Sequence, residues 1–373
     1  MQSISLCMIV KNEDKCIDNC LKSIYRLVDE IIIVDTGSTD NTKNICKQYT
    51  EKIYDYNWDY NFGKARTFSF SLATCDYILW LDADDIITYE NYIKLKNLKL
   101  SLDGSIDIYN FWYDYRHNIK GECIYTFYRE RLIKNTFDIY WDCIVHELLH
   151  FNKNSTIFNT DIRITHTNNK DNTKKYINLF ESKINSGYKL NAREKYFYSI
   201  ELVKNNNIQK AIPYIQDFIN DTDYDYGYNN SYELSCAYGW LGDYYLSKYN
   251  YKLALKNYLL QTAYHIPLAK VYYNIANCYL NLGCYDSSIF YLKTILEIDF
   301  PKETFINGSK FNNLDYFYTL NEFRINSLLL LVSIYYYNLK DLNTAKIYND
   351  KLLIFSPQNE SGLYNKNFFD NLK

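Results

Sequence analysis

Residues 77–85 read YILWLDADD, an apolar run that stops at three carboxylates, Asp82, Asp84 and Asp85. A strand that is apolar on successive positions is buried on both faces, and a bare carboxylate is costly to bury without a partner. The junction therefore marks the carboxyl end of a buried strand. In open α/β sheets ligands bind outside these ends, and side chains two apart on extended backbone point the same way, so Asp82 and Asp84 are expected to face one ligand. Hard oxygen donors at that spacing suit Mg²⁺ or Mn²⁺ carrying phosphate oxygens better than zinc. A solvated acidic turn has the same letters, and DxD alone does not separate the two.

Upstream of this junction, short apolar runs alternate with helical patterns: ISLCMIV, a helix near 14–26, EIIIVDT, a helix near 41–50, KIYDY and a helix near 62–73. That alternation predicts βαβ units and a parallel sheet. Further strands are expected at 106–115, 123–133 and 161–167, making the sheet mixed and closing an α/β domain near residue 170. From about residue 172 the spacing changes to apolar residues at i, i+3, i+4 and i+7, which predicts an all-helical second domain over 171–373. Within it NIQKAI, NYKLAL, CYDSSI and LNTAKI each start an amphipathic helix with a small residue, and Ala254 and Ser288 stand 34 residues apart. This is the helix-turn-helix period of tetratricopeptide repeats, with residues 300–322 as an insertion. Such a solenoid presents a concave surface that binds a partner, or serves only to stabilise the first domain.

Composition narrows the partners. With 41 basic and 44 acidic residues the net charge is −3, which leaves no electrostatic footprint for nucleic acid or an anionic membrane. None of the ten cysteines forms a CxxC pair, no basic leader precedes the first strand, and no run reaches the roughly 18 apolar residues of a membrane span. The expectation is a soluble cytoplasmic protein with reduced thiols.

Several residues of the first domain suit a nucleotide ligand. Asp35 closes EIIIVD at the same sheet edge as Asp82, where a carboxylate accepts hydrogen bonds from a base or ribose. Val10, Asn12 and Glu13 end and follow the first strand and line the same crevice. Lys64 and Arg66 open the helix before the acidic junction; Arg66 is the candidate phosphate contact, and Lys64 reads as solvated. In IVHELLH, residues 144–150, the letters of an HExxH zinc site coincide, with His146 and His150 at i and i+4 ahead of an expected helical stretch. A protease of that kind needs a third ligand and has no use for the upstream motifs.

The ordered set ISLCMIVKNE, IIIVDTGSTDNT, FGKARTFSFSLATCDYILWLDADD, RERLI and IVHELL resembles family 2 glycosyltransferases of the GT-A fold. It is most similar to the lipopolysaccharide-core glucosyltransferase and peptide S-glycosyltransferase subgroup, some members of which carry tetratricopeptide tails. The resemblance covers about residues 1–170. It implies a Rossmann-like mixed sheet, a nucleotide-sugar donor (a UDP-sugar), and a metal-dependent, inverting transfer to a hydroxyl or thiol of a glycan or peptide. By that resemblance Asp35 contacts the base, Asp82 the ribose or sugar, and Asp84 the metal, joined by His166 at the end of the last strand. Glu147 is the implied general base, with His146 assisting. The helical repeats are the expected holder of the acceptor and of a homodimer contact. Thr67 and Asp85 stand where family members commonly carry Asn and Glu, and no role for Asp85 follows. Two rival readings are a sugar nucleotidyltransferase, which lacks its usual glycine-rich loop here, and a non-catalytic scaffold, which has no reason to keep costly carboxylates clustered.

Overall fold

Alternate residues of the first strands enter two different apolar clusters. Leu6, Met8, Ile31, Ile33 and Leu79 pack on one side of the sheet, whereas Cys7, Ile32, Val34, Ile78 and Trp80 pack on the other. Burial on both faces is why these strands read as continuous apolar runs. A computed structural model describes residues 2–118, 120–136, 138–167, 173–221, 231–264, 269–298, 303–306, 309–312 and 314–372. The chain divides into two compact units, Met1–Asn206 with Phe305–Phe311, and Asn207–Thr304 with Asn312–Lys373.

In the first unit the elements run β1 (Ile4–Val10), α1 (Ile17–Ile24), β2 (Glu30–Asp35), α2 (Thr42–Cys46), β3 (Ile53–Asp55), α3 (Phe62–Ser71), β4 (Tyr77–Trp80), β5 (Asp85–Ile86), α4 (Tyr89–Ser101), β6 (Ile108–His117), β7 (Cys123–Lys134), β8 (Tyr140–Asp142), β9 (Leu148–His150), β10 (Ile157–His166), α5 (Thr173–Asn185) and α6 (Ala192–Lys204). The main path of the sheet is β3-β2-β1-β4-β7-β6-β10-β5. Strands β3, β2, β1 and β4 are mutually parallel, while β7 is antiparallel to both β4 and β6. The mixed α/β sheet expected for the GT-A fold is therefore present, and β1, β2 and β4 end at one edge. On one face Ile17, Cys20, Leu21 and Ile24 of α1 and Leu95 of α4 cover the sheet; on the other lie Phe70 of α3, Trp141 and Leu149.

One expectation needs correction. The stretch after Glu147 is not helical: Leu148–His150 is a strand that pairs with β8 in register Tyr140↔His150 and Asp142↔Leu148. The two histidines therefore share no helix face, and the zinc-protease reading loses its geometry. The expected boundary at 170/171 lies outside the described residues; the two compact units part at 206/207. Helices α5 and α6 go with the sheet: Tyr176 of α5 lies 5.3 Å from the His146 ring, and side chains of α6 hold the same loop.

The second unit is helical: α7 (Ile208–Asn220), α8 (Ser231–Ser247), α9 (Tyr251–Tyr264), α10 (Ala269–Asn281), α11 (Tyr285–Glu297), α12 (Leu314–Ser333), running into a π-helical turn over Ile334–Asn338, α13 (Leu342–Phe355) and α14 (Glu360–Asn371). Two short strands, β11 (Glu303–Ile306) and β12 (Ser309–Asn312), fall in the expected insertion, parts of which lie outside the described residues. Ala211, Ala254, Ser288 and Ala345, each the fourth residue of its helix, are all fully buried. A small side chain there lets paired helices approach closely, which is the physical content of the repeat read from the sequence. Among the described residues no helix is long and apolar enough to cross a membrane.

Candidate active site

Beyond β4 the backbone turns back on itself, Asp85 N donating to Asp82 O at 3.0 Å, so the alternation of an extended strand does not govern where the acids point. Asp85 is fully buried. Its Oδ2 accepts hydrogen bonds from Asp82 N (3.0 Å) and Arg131 Nη1 (3.1 Å), and its Oδ1 accepts one from the Tyr113 hydroxyl (2.9 Å). Arg131, equally buried, lies with its guanidinium 3.8 Å from the Trp80 ring centroid and 4.3 Å from that of Tyr113. Asp85 thus has the role the sequence left blank: with Arg131 it forms a buried ion pair that braces the acidic turn.

Asp84 faces the end of β10, its Oδ1 3.4 Å from His166 Nδ1. Burial pushes its carboxyl up to about 6, the acids Asp82, Asp85 and Glu13 adding to the shift against the pull of His166. Ligand atoms of Asp84, Asp85 and His166 lie within 4.8 Å of one another. Because both Asp85 oxygens are engaged by donors, Asp84 and His166 are the pair left for a cation. The carboxylate oxygen is a donor that suits Mg²⁺ or Mn²⁺, and a cation there would offset the burial and the neighbouring negative charge that raise the Asp84 pKa.

Asp82 is turned toward α3. Its Oδ1 accepts from Arg66 Nη2 at 2.6 Å, while Arg66 Nε donates to Glu147 Oε1, also at 2.6 Å. The guanidinium sits over Trp80 (4.4 Å) and Trp141 (5.5 Å). Burial disfavours the charge on Asp82, but Arg66 and Arg131 outweigh it and hold the carboxyl down to about 2. Burial acts likewise on Glu147, and Arg66 again prevails, keeping it below the usual range. Arg66 is thus the bridge between the acidic turn and the Glu147 loop.

That loop is held from two sides. Phe62 N and Gly63 N, at the start of α3, donate to the carbonyls of Ile144 (2.9 Å) and Cys143 (3.2 Å). Glu194 Oε1 of α6 accepts from Ile144 N at 2.9 Å, and Arg193 reaches the His146 carbonyl at 3.3 Å. Between these clamps Cys143 and His146 adopt left-handed backbone, φ 74° and 54°. His146 stacks on Phe197 (4.3 Å) with Nε2 3.4 Å from Glu201 Oε1, so it faces α6 whereas Glu147 faces Arg66. A Cβ at Gly63 would lie 2.8 Å from the backbone of Asp142 and Cys143. Gly63→Ala is expected to cost roughly 1–3 kcal/mol in urea unfolding, since backbone cannot give way as a side chain does.

At the edge formed by β1 and β2, Asp35 Oδ2 accepts from Gly37 N (3.1 Å) and Ser38 N (2.9 Å). Its Oδ1 is buried with no hydrogen-bond partner among the described residues, a state a ligand donor would relieve. The Val10 carbonyl accepts from Thr36 N (2.9 Å), and Asn12 Oδ1 from Thr39 N (2.8 Å), so these residues join the two loops. Glu13 Oε2 accepts from the Cys16 thiol at 3.1 Å. Lys64 pairs with Asp59 at 3.4 Å, the peripheral setting expected of it. Thr67, the departure from the family pattern, uses its hydroxyl to bond the Trp141 backbone at 2.8 and 3.1 Å.

A carboxylate turn follows β4, a histidine facing it ends β10, and a buried aspartate ends β2. The family model described as glycosyl transferase family 2 matches residues 5–197, just over half of the chain. The chain belongs to glycosyl transferase family 2. It is 27% identical over 227 residues to the prophage-derived glycosyltransferase SunS of Bacillus subtilis, covering 59% of this chain and 54% of that one. Over 97 residues it is 39% identical to a TPR repeat-containing protein of Synechococcus elongatus, covering 26% of this chain and 24% of that one. The chain thus spans about half or less of the length of these relatives. Glucosyl-3-phosphoglycerate synthase of Mycobacterium tuberculosis, solved with Mn²⁺ and UDP-glucose, is 23% identical, covering 30% of this chain and 44% of that one at a TM-score of 0.27. In this family member four residues of the site environment escaped the sequence reading: Tyr113, Arg131, Arg193 and Glu194. The one signal for them was Arg131 directly ahead of the apolar pair Leu132-Ile133 in RERLI.

Proposed function

We propose that this family 2 protein is a metal-dependent, inverting glycosyltransferase that moves a sugar from a UDP-sugar to a hydroxyl or thiol. The observation that carries the reading is the convergence at one sheet edge: the Asp84–His166 pair beside the Asp82–Arg66–Glu147 chain of ion pairs. Asp35, with its unsatisfied buried oxygen, would take a donor hydrogen from the base. Asp82 would bond the ribose or sugar, with Val10, Asn12 and Glu13 shaping the crevice and Arg66 placed near the diphosphate. Asp84 and His166 would hold Mn²⁺ or Mg²⁺, which supplies charge neutralisation for the departing diphosphate.

The remaining chemistry belongs to the chain itself. Glu147 accepts the acceptor's proton as the oxygen or sulfur forms its bond to the anomeric carbon. The bond from that carbon to the diphosphate oxygen breaks on the opposite face, its electron pair leaving with UDP, which inverts the centre. Arg66 on Glu147 Oε1 fixes the carboxylate and keeps it ionised at neutral pH, at the cost of basicity. His146, packed against α6, would orient the loop or assist Glu147. Glu147→Gln is expected to keep donor binding and to lower transfer by about 10²–10⁴-fold, measured as UDP release with acceptor present. Unchanged transfer would move the base role to Asp142 or His146. A glycan or peptide acceptor held by the helical repeats, and a homodimer formed through them, belong to the same proposal; sedimentation and crosslinking of the full chain test both.

A further inference from the structure

His166 Nδ1 faces three oxygens: the Tyr113 hydroxyl at 2.9 Å, Asp85 Oδ1 at 3.3 Å and Asp84 Oδ1 at 3.4 Å. A carboxylate can only accept, and a phenol has one proton. The Tyr113 proton goes to Asp85 Oδ1 at 2.9 Å, because nothing else is offered to that oxygen but the imidazole itself. The Tyr113 oxygen must then accept, and the proton it accepts is the one on His166 Nδ1. In a neutral imidazole the lone pair is left on Nε2, which has no hydrogen-bond partner among the described residues.

The supports of this arrangement pack on one another. Tyr113 is buried with its ring 4.3 Å from the Arg131 guanidinium, and Arg131 is itself locked on Asp85 Oδ2. Tyr115 stacks on the imidazole at 5.2 Å and 16°, which sets the plane of the ring. We propose that Tyr113 is a positioning residue for His166: its hydroxyl, aligned by Asp85 and Arg131, ties up Nδ1 and makes Nε2 the nitrogen offered to a divalent cation. This rests on the reading of Asp84 and His166 as the metal pair. Metal-bound histidines gain orientation and basicity from a partner on the other ring nitrogen, and loss of that partner weakens metal binding.

The test is Mn²⁺ binding to the metal-free full-length protein, followed by the electron paramagnetic resonance of free Mn²⁺ with no donor or acceptor present. Tyr113→Phe removes one oxygen and keeps the ring, and it is expected to weaken Mn²⁺ about 10- to 100-fold with unchanged circular dichroism. His166→Ala should lose at least as much, and Y113F added to H166A should cost nothing further. Should H166A weaken Mn²⁺ while Y113F leaves it unchanged or tighter, Nδ1 rather than Nε2 is the ligand and the proposal falls, with the metal site intact. If H166A has no effect, the metal reading itself fails. Nitrogen-15 spectra of the wild-type protein, with the ring neutral and His166 assigned by H166A, give an answer independent of how Y113F folds: a protonated Nδ1 is expected, and a protonated Nε2 overturns the proposal.

Discussion

Asp84→Asn is expected to abolish Mn²⁺-dependent nucleotide-sugar binding and, at the same time, to make the metal-free protein more stable at neutral pH. The second effect follows from the electrostatics of the turn. Burial, with Asp82, Asp85 and Glu13 nearby, raises the Asp84 carboxyl from 3.8 to about 6. Between those values the folded chain binds more protons at this position than the unfolded chain does, so stability falls as pH rises through the window and stays reduced above it. Two pKa units correspond to about 3 kcal/mol, the order of magnitude an uncharged asparagine would recover. Urea unfolding in EDTA across the acidic-to-neutral range checks the sign. Wild type and D84N should be close below pH 4, part between about pH 4 and 6, and keep a constant difference above that, with D84N the more stable. A wild type as stable as D84N at neutral pH would mean that Asp84 is not held under strain for a cation.

Arg131→Met is expected to produce the largest loss of stability of any single change at the site. The substitution leaves Asp85 buried with no counter-charge, and breaking a buried pair from one side costs about 3–5 kcal/mol. It also removes the hydrogen bond from Arg131 Nη1 to the Trp80 carbonyl at 3.2 Å, just ahead of the turn. Neutralising both partners, R131M with D85N, should recover a large part of the loss, because what is costly is the unpaired charge rather than the missing contact. Midpoints of urea unfolding for the two single variants and the double variant measure the coupling directly. A loss under about 1 kcal/mol for R131M would show that the pair does not brace the turn.

How far the sequence could be read depended on whether local pattern or distant partners decided a feature. Strands β1, β2 and β4 were legible because burial on both faces writes an uninterrupted apolar run, and Asp35 and Asp82 were legible as the points where such runs stop. The helical repeats were legible from Ala211, Ala254, Ser288 and Ala345, small residues whose burial requires close helix contacts. Helix α4 was missed because its core stripe of Tyr92, Leu95 and Leu98 is interleaved with the exposed Tyr89, Ile93 and Leu100, which blurs the helical period. HELLH looked helical because three residues cannot distinguish the two periods, and the pairing of β9 with β8 that decided it is a tertiary contact. Asp85 could not be assigned because what separates it from Asp84, one position earlier, is Tyr113 and Arg131, 28 and 46 residues further along the chain. The clamp of Glu194 on Ile144, 50 residues apart, was silent for the same reason.

The central claim, that this sheet edge binds a nucleotide sugar through a divalent cation, is tested most directly by calorimetric titration of the full chain. UDP-glucose, UDP-N-acetylglucosamine, UDP-galactose and GDP-mannose would each be added in Mn²⁺ and again in EDTA. Saturable binding of at least one UDP-sugar in Mn²⁺, lost in EDTA and lost in D84N, is the predicted result. Binding of equal strength in EDTA, or no binding of any of the four in Mn²⁺, would contradict it.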